Sequence, residues 1–176
     1  MTEPEVSLRL ALYYLRRRLT RREVRVSIDG AHIKTGNTVH FDIRGFLSEQ
    51  GCTKADGDLH RWQGGYRSGQ FAPALLVDSL PGAGDVRIAL PDGRTLYVES
   101  KKSRPGPPSH EYSLMREAIG QLMTGCPMDE TILPAVAVPR TKKSLELAQR
   151  WSALAQIQKV GIRFLLVGED GSISMF

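Results

Sequence analysis

Cysteine is scarce in this chain of 176 residues: there are two, Cys52 and Cys126. They form no CxxC pair, which argues against a zinc framework and against a disulfide scaffold. No apolar run approaches the roughly 20 residues needed to cross a bilayer. The opening Met1-Thr2-Glu3-Pro4-Glu5 is acidic and does not read as a secretory leader. Histidine is also thin. His32, His40, His60 and His110 are scattered, without the spacing of a HExxH metal helix. There is no glycine-rich phosphate loop, so ATP binding is not expected, and no internal repeat. These absences leave a soluble, cytoplasmic protein with no membrane association. Its 41% apolar content is enough for one globular core.

Positive charge is present in modest excess, with a formal net charge of +5. The excess is clustered. Arg16, Arg17, Arg18, Arg21 and Arg22 lie together, Lys101, Lys102 and Arg104 form a second group, and Arg140, Lys142 and Lys143 a third. Two of these groups follow expected strand ends. Such clusters are either solvated surface or phosphate contacts beside a site.

Apolar periodicity predicts a helix over 6–19, a short strand over 24–28 and a helix over 40–50. Residues 53–72 are polar and glycine-rich and read as a long loop, with Trp62, Tyr66 and Arg67 available to stack on bases or to anchor the loop. Strands are expected at 74–80, 84–90 and 96–102, and 104–108 is too rich in proline for a helix. A helix to about Thr124, a buried strand at 132–138, a helix at 144–158 and a strand at 163–167 follow. Three consecutive strands feeding into alternating units predict an α/β fold, with a central mixed β-sheet flanked by helices. Residues 1–38 read as an N-terminal helix and short-strand extension, and 39–176 as the α/β domain proper, making one compact unit overall.

The most informative stretch is the hairpin Gly84 to Lys102, turning at Pro91-Asp92-Gly93. Residues two apart on a strand share a face, so Glu99 and Lys101 stand side by side, and Asp85 at the start of the partner strand shares that face. Two carboxylates and an amine are costly to bury unless the charges compensate or hold a cation. A divalent metal beside a lysine is hydrolytic machinery.

Asp85 opening one strand, Glu99-Ser100-Lys101 on the next and Gln121 on the following helix resemble the PD-(D/E)XK nuclease superfamily, in its Holliday-junction-resolvase and RecB-type branches. Gly84 stands where the proline of that motif usually lies. The resemblance implies an αβββαβ restriction-endonuclease-like core over roughly Phe41 to Val138. It also implies an Mg²⁺- or Mn²⁺-dependent endo- or exonuclease acting on nucleic acid, expected to be DNA. The implied metal ligands are Asp85, Glu99 and the Ser100 carbonyl. Asp42 is a further candidate from the helix before the strands, with Glu49 as its alternative. Lys101 and Gln121 complete the implied catalytic set, and Lys102, Arg104, Arg116, Arg67 and Trp62 are candidate nucleic-acid contacts. Repair, recombination or phage defence are the implied settings, as a homodimer or as a subunit of a larger nuclease complex. The competing expectation is a catalytically silent nucleic-acid-binding or partner-binding domain on the same fold.

Overall fold

A computed structural model describes the chain apart from residues 56–57, 83 and 104–108 and the side chain of Ser109. The proline-rich stretch and Arg104 therefore lie outside the described residues. Helix α1 (Glu3–Arg16) begins earlier than periodicity alone predicts, because Thr2 caps it by accepting the Glu5 N–H. Pro4 lies in the first turn, where a missing N–H costs nothing, and Glu3 and Glu5 complement the helix dipole. The helix stops at Arg16, and Leu19 beyond it is exposed.

Strand β1 (Val24–Ser27) leads through a 3₁₀ turn (Gly30–His32) to a two-stranded ribbon, β2 (Lys34–Thr35) and β3 (Thr38–Val39), and to α2 (Ile43–Glu49). The expected loop at 53–72 instead contains β4 (Thr53–Lys54), β5 (Gly64–Ser68) and the start of β6 (Phe71–Asp78). Its glycines hide the alternation that would have revealed these strands, and the register breaks between Tyr66 and Ser68. Then come β7 (Val86–Ala89), β8 (Thr95–Ser100), α3 (Ser109–Gly125), β9 (Ile132–Pro139), α4 (Lys142–Ser152), α5 (Ala155–Val160), β10 (Arg163–Val167) and β11 (Ile173–Met175).

Nine of these strands form one mixed sheet, in the order β11-β10-β9-β8-β7-β1-β6-β5-β4. The three consecutive strands predicted from the sequence are not contiguous. Strand β1 lies between β6 and β7, parallel to the first and antiparallel to the second. The link over 79–85 is longer than a tight hairpin and can step across one strand, which adjacency in sequence does not reveal.

Helices cover both faces. Leu8, Leu12 and Leu15 of α1 pack with Val24, Val26, Val86, Ile88, Leu96 and Val98 on one side. On the other, Met115, Ala118 and Leu122 of α3 and Leu147 and Trp151 of α4 pack with Tyr97, Val136, Val138, Phe164 and Leu166. Alternation along β7 and β8 therefore sends Val86, Ile88, Leu96 and Val98 toward α1 and the odd-numbered residues toward the opposite face. Among the described residues no helix is long and apolar enough to cross a membrane.

Candidate active site

The start of β7 and the end of β8 meet at one end of the sheet. Asp85 extends the ladder one residue past β7: its N–H donates to the Val98 carbonyl, and its carbonyl accepts from the Ser27 N–H, each at 2.9 Å. Val98 is already the partner of Val86, so the regular register ends there, and Asp85 and Glu99 meet as lining residues of one cleft beside α3. Both residues share that cleft with Gln121, Thr124 and Gly125, on the side of the sheet that α3 covers. Asp85 Oδ2 also accepts the Ser100 N–H at 2.6 Å, which fixes the carboxyl against the end of β8.

These residues floor a cleft of about 640 Å³. Asp85, Tyr97 and Glu99 lie at its base. Gln121, Thr124 and Gly125 of α3 form one wall, and Asp29, Gly30 and the segment after β6 the other. The sheet thus brings Asp85, Glu99 and Gln121 together at one cavity.

Lys101 is buried just past the end of β8. Its Nζ lies 3.2 Å from Glu117 Oε1 on α3 and 3.8 Å from Glu3 Oε2 on α1. Glu3 in turn has His32 Nδ1 3.5 Å from its other oxygen. The position of α1 over the end of β8 is secured by Ser7, whose hydroxyl donates to Ser100 Oγ at 2.9 Å. Sequence reasoning missed Glu3. The signal was present in the cap Thr2 and in Pro4, which extend the helix back over this residue, but nothing local says that the helix start meets β8.

Negative charge dominates. Burial pushes the Asp85 carboxyl up to about 7, and repulsion from Glu99 adds to it, against the pull of the Ser100 N–H. Burial likewise raises Glu99, with Lys101 opposing it, and burial raises Glu3 against the attraction of Lys101 and His32. Carboxylates that repel one another in a partly dry cleft are the condition a dication relieves. Among the described residues no three His, Cys, Asp or Glu side chains converge into a ready-made metal cage. The donors at hand, Asp85 and Glu99, are hard oxygens. They suit Mg²⁺ or Mn²⁺, which bind through one or two carboxylates and keep several waters.

Sterics exclude a proline before Asp85. Gly84 has φ +68°, which proline cannot adopt, and a Cβ there would come within 2.6 Å of the Tyr97 ring. Tyr97 occupies that space and donates its hydroxyl hydrogen to the Gly125 carbonyl at 3.3 Å.

The remaining candidates lie elsewhere. Asp42 caps α2, accepting the Gly45 N–H at 3.0 Å, and its charge acts on Tyr66 of β5, three strands from β7. Glu49 is exposed in the last turn of α2. Neither lines the cleft. Trp62 packs against the core, and its carbonyl accepts from the Tyr66 hydroxyl, so it anchors its loop. Arg67 is exposed on β5. Arg116 lies over the Tyr112 ring, in a groove with Trp151 and Leu154 rather than in the cleft. Lys102 is half-buried and close enough to act on Glu3. The N-terminal arginines do not flank the site: Arg18, Arg21 and Arg22 line a groove with the turn between β7 and β8, a strand length away at the opposite end.

A scan against protein-family models, a search of curated proteins and a search of solved structures each return no match to this chain.

Proposed function

We propose that the chain is a metal-dependent nuclease with a restriction-endonuclease-like core, hydrolysing phosphodiester bonds in DNA. The observation that carries this reading is the meeting of Asp85 and Glu99 in one cleft at the ends of two strands, with Asp85 tied to the Ser100 N–H and Lys101 next along the chain. Topology supports it. With residues 28–84 set aside as an insertion, the order α1, β1, β7, β8, α3, β9 reads αβββαβ. In that order β1, β7 and β8 are antiparallel neighbours, and β9 runs parallel to β8. On this reading the N-terminal helix and strand belong to the core rather than to an extension.

A bound Mg²⁺ or Mn²⁺ would lower the pKa of a water and neutralise charge on the scissile phosphate. Asp85 and Glu99 would hold it, with the Ser100 carbonyl as the third protein oxygen that the resemblance implies. The Lys101 ammonium offers donors to the phosphate oxygens as negative charge builds on them. Glu3 and Glu117 position that ammonium from two sides. Gln121 projects from α3 as a hydrogen-bonding group for phosphate or for the attacking water.

One observation favours the alternative, a catalytically silent binding domain. The Lys101 ammonium already sits between two carboxylates and is not free. Cleavage of labelled duplex, single-stranded and branched DNA and of RNA, with Mg²⁺, Mn²⁺ or EDTA, decides between them. Metal-dependent cutting lost in Glu99→Ala is the expected result. Binding without cutting under every condition would establish the silent domain.

A further inference from the structure

We infer that Arg25 and Arg87 form a second phosphate-binding subsite, one row along the sheet from Asp85 and Glu99, which takes the phosphodiester next to the one cleaved. This deepens the nuclease reading and rests on it for the identity of the ligand.

The register sets the geometry. Arg25 of β1 pairs directly with Arg87 of β7, and Arg87 pairs with Tyr97 of β8. Cross-strand partners share a face, so both arginines lie on the side that carries Tyr97, Asp85 and Glu99. The arginine row is two residues from the carboxylate row, or about 6.6 Å along the strands. Helices α3 and α4 pack over β8, β9 and β10. The apolar cluster they form includes no residue of β7 or β1, and the Arg25 side chain is 36% exposed.

Two like charges directly opposite on neighbouring strands destabilise a sheet. Arg25 is partly compensated, with Nε 3.6 Å from Asp78 Oδ2. Arg87 has no carboxylate in ion-pair range among the described residues. A pair of half-exposed planar guanidinium forks, one of them without a carboxylate partner among the described residues, is matched to an anion with several acceptor oxygens. The row spacing then lets one strand of nucleic acid lie along β7, with a phosphate over the carboxylates and its neighbour over the arginines.

Arg87→Gln, Arg25→Gln and the double variant test this, with Arg163→Gln on β10 as a control. Affinity for a labelled DNA oligonucleotide is measured in EDTA by fluorescence anisotropy from about 50 to 200 mM salt. Each single variant is expected to raise Kd about tenfold. Each is also expected to lower the log–log salt slope by roughly 0.7–0.9, the contribution of one phosphate contact. With metal present, the loss should fall on KM rather than kcat. A thermal-shift titration with pyrophosphate runs alongside and should stabilise the wild type but not the double variant. If the wild type binds and cuts while the variants keep its Kd and slope, the subsite is wrong and the nuclease reading stands. If the wild type neither binds nor cuts nucleic acid, yet pyrophosphate stabilises it through the two arginines, the anion site stands and its assignment to DNA falls. Absence of both responses overturns the proposal.

Discussion

Replacing Asp85 with asparagine should stabilise the metal-free protein, and by more as the pH rises. The carboxyl titrates at about 7 in the folded chain against an ordinary 3.8. The folded state therefore keeps a proton that the unfolded state releases between about pH 4 and about pH 7, and wild-type stability falls across that window and is level above it. At 1.36 kcal/mol per tenfold, the full effect is at most about 4 kcal/mol. Asp85 is only half-buried, and solvent screening reduces this to about 2 kcal/mol. Asparagine carries no charge to bury, and its Oδ1 can still accept the Ser100 N–H that Asp85 takes at 2.6 Å. Thermal melts in EDTA should show Asp85→Asn ahead of wild type by roughly 4–8 °C at alkaline pH and by less in mild acid. Excess Mg²⁺ should close the gap by raising wild type while leaving the variant unmoved. A variant no more stable than wild type at alkaline pH, or a gap independent of pH, would refute the argument from buried charge.

Other outcomes follow from neighbouring geometry. Gly84→Ala forces a Cβ into the Tyr97 ring at a positive φ and should cost about 2–3 kcal/mol in urea denaturation. Tyr97→Ala should make that penalty smaller, a coupling visible in a double-mutant cycle. Glu3→Gln leaves Lys101 with Glu117 as its one close acidic partner among the described residues. It should lower single-turnover cleavage about tenfold or more, with nucleic-acid affinity little changed. Burial pushes the Cys126 thiol up to about 11 and raises Cys52 as well, so neither should react with a thiol reagent at neutral pH until the protein unfolds.

The hairpin was legible because its chemistry is local. Alternation over Thr95–Ser100, with the Asp92-Gly93 turn, puts Glu99 and Tyr97 on one face and names Asp85 as their neighbour. Gln121 came from the resemblance rather than from spacing, and it lines the cleft while Met115, Ala118 and Leu122 face the core. Glu3 was not legible, since its approach to Lys101 depends on how α1 crosses the sheet. Arg25 and Arg87 were not, since their pairing needs the register between strands some sixty residues apart in sequence. The place of β1 was missed for the same reason: Val-Arg-Val-Ser says that the strand is half-buried but not which strands flank it. Residues 53–72 were misread because glycine carries no side chain by which a period can be detected.

The position of β1 has a consequence for how the chain assembles. It is among the first strands made and lies in the middle of the finished sheet, yet both its neighbours come late: Val24 meets Leu75 and Val26 meets Val86. During synthesis its backbone donors and acceptors must wait, hydrated or chaperoned, until β6 and β7 have left the ribosome. The sheet cannot zip from one end and has to close around this strand, a long-range step that makes for slow folding. Cutting the chain in the exposed ribbon between Thr35 and Thr38 would separate β1 from the strands that enclose it. Recovery of a folded complex from the two fragments would then depend on that late closure alone.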